Sequence, residues 1–391
     1  MIIGRCAPPA TAAAAGRRAE AIVSPGVAAD HPIALVHDYL LVMRGAERTF
    51  AAMAEIWPDA PIHTLLYDEH GTQGRFAGRT VVTSPLQRTG VGQSGFRRLL
   101  PLMPVAASRL PVGGHELVVS SSSAFAHGVR AGAGAVHACY CHSPFRYAWH
   151  ERRRALEETP ASLRPALDAT LRAIRAWDRR AARRATGYVA NSEITRERIA
   201  SFWKRDARVV HPPVAVERFR AGRPEAFLLV VGEVVGHKRT ELALQAARAA
   251  RRPITVVGTG PDLDRLREEH GGHARFLGRV DDTELAELYS RALALVVPGV
   301  EEFGIAAVEA QAAGRPVLGA RAGGLLETVI PGTTGVLVPP DDLGALTAAM
   351  AGTDFTAFDP AAIQAQAARF STERFQQRLR EEVGRLTGRA C

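Results

Sequence analysis

The chain has 391 residues, of which 47% are hydrophobic and 23% charged, so it holds enough apolar material for two cores and is not a disordered polymer. No uncharged apolar run reaches the ~18 residues a membrane span needs. The net charge of +9 is uneven: residues 1–220 carry 30 Lys+Arg against 18 Asp+Glu, or +12, while 221–391 carry 19 against 22, or −3. The surplus suits an anionic partner of the front half: a nucleic acid, an acidic bilayer face or a phosphorylated substrate.

Residues 1–30 are Ala-rich with scattered arginines and no compact apolar core, which predicts a leader outside the fold rather than a secretory signal. From 31 on, short apolar runs alternate with helix-sized stretches. Strands are predicted at 33–37, 62–67, 80–83, 117–121, 136–141, 188–190 and 208–211. Helices are predicted around 46–57, across the Arg-dense 151–184, and at 193–203. The turn residues Gly222, Arg223 and Pro224 mark a boundary between domains at 31–215 and 216–375. The back half reads more cleanly, with strands at 227–231, 254–257, 274–277, 293–297 and 317–319 separated by helices at 239–250, 262–269, 282–290 and 304–313. Strands alternating with helices of about ten residues mean βα units and parallel sheets. The fold class is therefore α/β, two Rossmann-like domains facing one cleft. A terminal helix over 376–391 is expected to pack back on the first domain.

Of the cysteines, Cys6 and Cys391 lie near the termini, and Cys139 and Cys141 are too close for an ordinary bridge, so all four are expected as thiols. This usage fits a reducing cytoplasm. No His, Cys and carboxylate cluster has metal-ligand spacing, and Asp282 is expected to cap the next helix. Gly258-Thr259-Gly260 does not complete a dinucleotide fingerprint, since Leu263 stands where a third glycine belongs.

The densest chemistry lies at Glu301-Glu302-Phe303-Gly304-Ile305-Ala306-Ala307-Val308-Glu309, just past a strand end, where open α/β sheets bind ligands. Phe303, Gly304 and Ile305 open a helix whose free N–H groups suit a phosphate. Glu301 can accept hydrogen bonds from sugar hydroxyls, and Glu309 can hold a ribose diol. The bland alternative is an acidic helix start complementing the macrodipole. A second loop, Gly232-Glu233-Val234-Val235-Gly236-His237-Lys238-Arg239, combines flexible glycines with a terminal cation, which can grip a diphosphate. In the front half, Arg44-Gly45-Ala46-Glu47 follows the first strand, and Gly45 permits close backbone approach to a ligand. His142 ends a mostly apolar strand, with Arg146 and Trp149 close behind.

The 301–309 segment resembles the E-x7-E motif of retaining family 4 glycosyltransferases with the GT-B fold. The continuations Glu309–Val317 and Gly323–Val329, with Val36–Leu40, Arg44–Arg48, Cys139–Trp149 and Ala190–Ser192, are similar to a bacterial polysaccharide branch of mannosyl- and rhamnosyltransferases. The resemblance implies transfer of a hexose from a nucleoside diphosphate sugar to an acceptor hydroxyl, without a metal or other cofactor. GDP-mannose is the first donor it suggests and a UDP sugar the second. It implies catalytic roles for His142, Lys238 and Glu301. Donor contacts are implied at Gly45, Lys238, Arg239, Phe303, Gly304, Ile305 and Glu309, and acceptor contacts at Arg44, Arg146 and Trp149. Trp149 suits an acceptor platform or the core. Relatives usually carry an arginine where Glu233 stands; either Arg239 replaces that charge or Glu233 points away. The acceptor is expected to be a glycan, a lipid-linked sugar or a small natural product, and the arginine run suits either plain solvation or attraction to an anionic membrane face from the cytoplasm. A sugar nucleotide epimerase or phosphorylase is the alternative. Nucleic-acid binding lacks the expected stacking and docking modules.

Overall fold

The computed structural model describes residues 31–92 and 95–388; the leader expected at 1–30 lies outside them, as do Cys6 and Cys391. The first sheet contains β1 (Ile33–His37), β2 (Ile62–Thr64), β3 (Val81–Thr83), β4 (Leu117–Ser122), β5 (Val136–Cys141), β6 (Gly187–Ala190) and β7 (Ala207–Val209). Their order is β3-β2-β1-β4-β5-β6-β7, all parallel. The second sheet contains β8 (Leu228–Val231), β9 (Ile254–Val257), β10 (Ala274–Gly278), β11 (Ala294–Val297), β12 (Val317–Ala320) and β13 (Gly335–Val338), in the order β10-β9-β8-β11-β12-β13, again parallel.

The strands are continuous apolar runs because helices cover both faces. Along β1 the side chains alternate between two cores. Leu35 joins Phe50 and Met53 of the Gly45–Ala54 helix on one face, while Ala34 and Val36 join Leu171 and Ile174 of the Arg164–Ala181 helix on the other. The second sheet divides in the same way, Leu229 to one side and Leu228 and Val230 to the other. The final helix, Thr372–Thr387, crosses back to the first domain and inserts Phe375, Leu379 and Val383 beside Leu35 and Tyr140. A Cβ on Gly187 would meet the methyls of Leu386, so the glycine lets this helix lie close against β6.

The helical stretch expected over 151–184 divides into Arg152–Glu157 and Arg164–Ala181. Pro160 disfavours helical geometry at Thr159, and Pro165 sits in the first turn of the new helix, where its missing N–H costs nothing. The cap expected at Asp282 belongs to Asp281, whose carboxylate accepts from the Thr283 and Glu284 amides.

In each sheet the chain reverses direction between two neighbouring strands: β1 and β4 in the first, β8 and β11 in the second. Loops leaving the carboxyl ends of such strands diverge and open a crevice. The loops after β1, β4, β5, β8 and β11 carry Arg44, Gly45, the Ser123–Ala126 amides, His142, Arg146, Lys238 and Glu301.

Candidate active site

The second domain builds its side of the crevice on glycines. Gly232 leaves β8 at φ +154°, and the chain tightens into the Gly236–Lys238 turn. A Cβ on Gly299 would collide with the His237 carbonyl, so the loop after β11 lies flush against this turn. That approach brings Lys238 to Glu301: its Nζ donates to Oε1 at 2.7 Å and to Oε2 at 2.5 Å. Both side chains are partly exposed, at 29% and 18%, so the pair is open to a ligand. Gly324 holds the loop from behind, its N–H donating to the Glu301 carbonyl at 2.8 Å. Gly304, at φ +91°, starts the Ile305–Ala312 helix without a side-chain cap, which leaves first-turn amides for an anion. Further along that helix Glu309 accepts from the Tyr289 hydroxyl at 2.9 Å. Burial pushes the Glu309 carboxyl up, against the Tyr289 bond and the charges of Arg48 and Arg218.

The first domain answers from the ends of β1, β4 and β5. Asp38 is buried and accepts from four consecutive amides, Ser123 to Ala126, at 2.5–3.0 Å, which ties the loop after β4 to the end of β1. Gly45 stands so close to the second domain that an added Cβ would lie 3.1 Å from Ile305 Cδ1. Its neighbour Arg44 reaches across to Glu233, Nη1 to Oε2 at 3.3 Å. His142 Nε2 lies 2.8 Å from Ser121 Oγ, which also contacts His37 Nδ1 at 3.1 Å. Burial lowers the His142 pKa to about 4 and that of His37 to about 3, so both rings are neutral at pH 7 and act through hydrogen bonds rather than charge.

The geometry thus brings together Lys238, Glu301, Gly304 and Ile305 with Gly45 and Arg44 across the crevice. Arg146 joins them through Glu302, at 3.4 Å, while also lying 3.8 Å from Glu151. At three expected residues the side chain is engaged elsewhere in the fold. Arg239 adopts φ +54° and turns its side chain to Asp341 at 2.7 Å. The Phe303 ring is buried against His211 and Phe370, leaving only its backbone for a donor. Of the two readings of Trp149, the packing favours the core: its indole N–H donates to Asp178, Phe202 stacks on it at 4.6 Å and 5°, and Arg175 and Arg179 lie 4.8 and 5.0 Å from the ring centroid. Arg44, expected at the acceptor, is engaged with the Gly232–Lys238 loop.

The same contacts show that the arginine run is not simply a solvated face. Arg175 donates to the Ala148 carbonyl, Arg184 to the Gly128 carbonyl, and Arg154 comes within 3.3 Å of a Cβ built on Gly236. Residues that sequence reading passed over are Glu302, Arg198 and Asp38; only the pairing of Glu302 with the motif carboxylate beside it was a visible signal. Cys139 and Cys141 are buried free thiols. Among the described residues no helix is long and apolar enough to cross a membrane.

Residues 43–218 match the family model "Glycosyltransferase Family 4", and residues 216–352 match "Glycosyl transferases group 1". Among curated proteins, the glycogen synthase of Mycobacterium tuberculosis H37Rv is 40% identical over 166 residues, covering 40% of this chain and 39% of that protein. The D-inositol 3-phosphate glycosyltransferase 2 of Catenulispora acidiphila is 37% identical over 176 residues, covering 37% and 41%. The chain thus spans about two fifths of the length of these relatives. Among solved structures, Anabaena Alr3699/HepE in complex with UDP superposes with a TM-score of 0.66 at 18% identity, covering 90% of this chain and 99% of that one. Sucrose-phosphate synthase from Thermosynechococcus elongatus gives 0.64 at 18% identity, covering 92% and 99%. The two family models follow one another along the two sheets, and the chain belongs to the family 4 glycosyltransferases of GT-B architecture.

Proposed function

We propose that this protein is a retaining glycosyltransferase that moves a hexosyl group from a nucleoside diphosphate sugar to an acceptor hydroxyl. The observation that carries this reading is the Lys238–Glu301 pair at the uncapped start of the Ile305–Ala312 helix, facing Gly45 and Arg44 of the other domain. As the bond to the diphosphate breaks, negative charge builds on the leaving phosphate. Lys238, Arg44 and the helix-start amides oppose that charge. Glu301, released from Lys238, accepts hydrogen bonds from the sugar hydroxyls, and Glu309 takes the ribose. Neutral His142 presents a hydrogen-bonding imidazole to the transferred sugar. The acceptor approaches from the side of the leaving group, whose phosphate oxygen takes the proton, so no side chain serves as a covalent nucleophile.

The protein's own cations supply the charge that a divalent ion would, and turnover is expected to persist in a chelator. Mannose from GDP-mannose is the first donor of this proposal. A UDP hexose is the second, supported by the UDP and UDP-glucose held by Anabaena HepE. The acceptor side is open to a glycan, a lipid-linked sugar or a small molecule. Exposed Arg153, Arg172 and Leu163 would draw the first domain to an anionic bilayer from the cytoplasmic side, which vesicle flotation tests. The decisive experiment is a thermal-shift screen with GDP, UDP, ADP and their sugars, followed by turnover of Lys238→Ala and Glu301→Gln. Wild-type turnover in both variants would remove the assignment.

A further inference from the structure

The crevice holds a charged cluster that the reading above does not use. Glu302 leaves the loop after β11 and points into the first domain. One of its oxygens, Oε1, meets Arg198 Nη1 at 3.2 Å, Arg146 Nη2 at 3.4 Å and His150 Nε2 at 3.9 Å. Two guanidinium groups and an imidazole of one domain thus converge on a single carboxylate oxygen of the other. The Glu302 side chain is 20% exposed, Arg198 17% and Arg146 32%. Other ion pairs between the domains, Arg44–Glu233 and Arg48–Asp282, have partners 39–51% exposed. Water and salt screen such exposed pairs, and they hold geometry weakly. The partly buried cluster is less screened than these exposed pairs and loses more if broken. Burial works to raise the Glu302 carboxyl, but Arg146 and Arg198, with Lys238 and His150, hold it below the usual carboxylate range.

A second observation comes from the element that carries Arg198. The Glu193–Arg198 helix is tied to the second domain at both ends. At its start the Glu193 amide donates to both oxygens of Glu327, at 2.9 and 3.1 Å, and Glu327 also receives His211 Nε2 at 2.8 Å. At its other end Arg198 holds Glu302. The helix is therefore a brace between the domains, and one of its two attachment points lies next in sequence to Glu301.

We propose that Glu302 is a positioning residue that fixes Glu301 at the transfer site only while the domains are closed, through its partly buried pairing with Arg146 and Arg198. This inference rests on the proposed transfer site. The loop after β11 belongs to the second domain, but its carboxylate at 302 is satisfied by the first. Opening the crevice strands Glu302 and frees the loop. Closing it locks the loop and, one residue away, the carboxylate that meets the sugar. Arg146 also lies within electrostatic reach of Glu301, so it balances that carboxylate once Lys238 turns to the diphosphate.

The test uses the full chain and the sugar nucleotide selected by the thermal-shift screen. Glu302→Gln and Arg198→Gln are compared singly and together. Expected is a kcat lower by ~10–100-fold in each single variant, the cost of slight misplacement of a reacting group. UDP or GDP affinity by calorimetry stays within about twofold, because neither residue is among the groups placed against the diphosphate. The double variant loses no more than the worse single one, since both remove the same contact. Small-angle scattering of nucleotide-bound Glu302→Gln shows a wider particle than wild type. Independent, multiplying losses, or a kcat within threefold of wild type in the single variants, overturn the inference. Should Glu302→Gln fail to fold, Arg198→Gln is read by the same criteria. Lys238→Ala and Glu301→Gln run alongside. Wild-type turnover there defeats the transfer site and this inference together, whereas loss there with normal turnover in Glu302→Gln defeats this inference alone.

Discussion

Glu301→Gln is expected to tighten the binding of a bare nucleoside diphosphate while abolishing sugar transfer. The Lys238 ammonium is held by both oxygens of Glu301, at 2.5 and 2.7 Å. A diphosphate must take Lys238 away from that partner, so the ion pair competes with the ligand. A charge-assisted pair of this geometry contributes ~1.5–3 kcal/mol when well shielded. Here the side chains are 29% and 18% exposed, and screening reduces the figure to about 0.5–1.5 kcal/mol. Removing the competing charge converts that range into ~2–10-fold tighter UDP or GDP binding, at 1.4 kcal/mol per tenfold. The gain shrinks as salt rises through the range where the Debye length falls from about 10 to 3 Å. Sugar transfer moves the other way, because glutamine cannot hold the hydroxyls with a full charge. Isothermal calorimetry at low and high salt, beside a turnover assay, reads both effects. Unchanged or weaker nucleotide binding in Glu301→Gln would refute the argument that the two site charges silence one another before the donor arrives.

Asp38→Asn leaves one acceptor oxygen where two oxygens now serve four amides, and should cost about 3 kcal/mol or more in urea unfolding, with loss of order in the Ser123–Ala126 loop. Gly45→Val pushes a branched side chain against Ile305 and should lower turnover by holding the domains apart, while Gly45→Val with Ile305→Ala recovers most of it. Burial depresses His37 and His137 to about 3, far below their unfolded value of ~6.5, so the unfolded chain binds protons that the folded chain refuses. Stability from these rings is complete above pH ~6.5 and falls as the pH drops from there towards 3, by up to about 1.4 kcal/mol per unit for each ring. Melting temperatures across that range should fall less steeply in His137→Gln than in wild type; identical slopes would contradict the assignment.

Much of this protein was legible in one dimension. Parallel strands covered on both faces must be apolar throughout, and runs such as Leu228–Val231 and Ile254–Val257 declare themselves without any partner in view. Ligand loops follow strand ends, so Lys238, Glu301 and Gly304 were found by position and residue type. The later helices were harder to read. Leu343–Gly352 and Pro360–Ala367 are built from small and apolar residues on nearly every side, and with no polar face they have no helical period to detect.

What the chain alone left undecided is where its charged side chains point. Arg239 directly follows Lys238, yet a left-handed backbone sends it to Asp341. Trp149 reads equally as a sugar platform or as core, and only the fold shows Phe202 stacked on it and Asp178 accepting its N–H. Glu302 finds Arg198 104 positions away, and Arg44 finds Glu233 across 189. Secondary structure is written in the period of neighbours along the chain. The partner of a long polar side chain depends on which loops two separately folded sheets press together, and no local pattern carries that information.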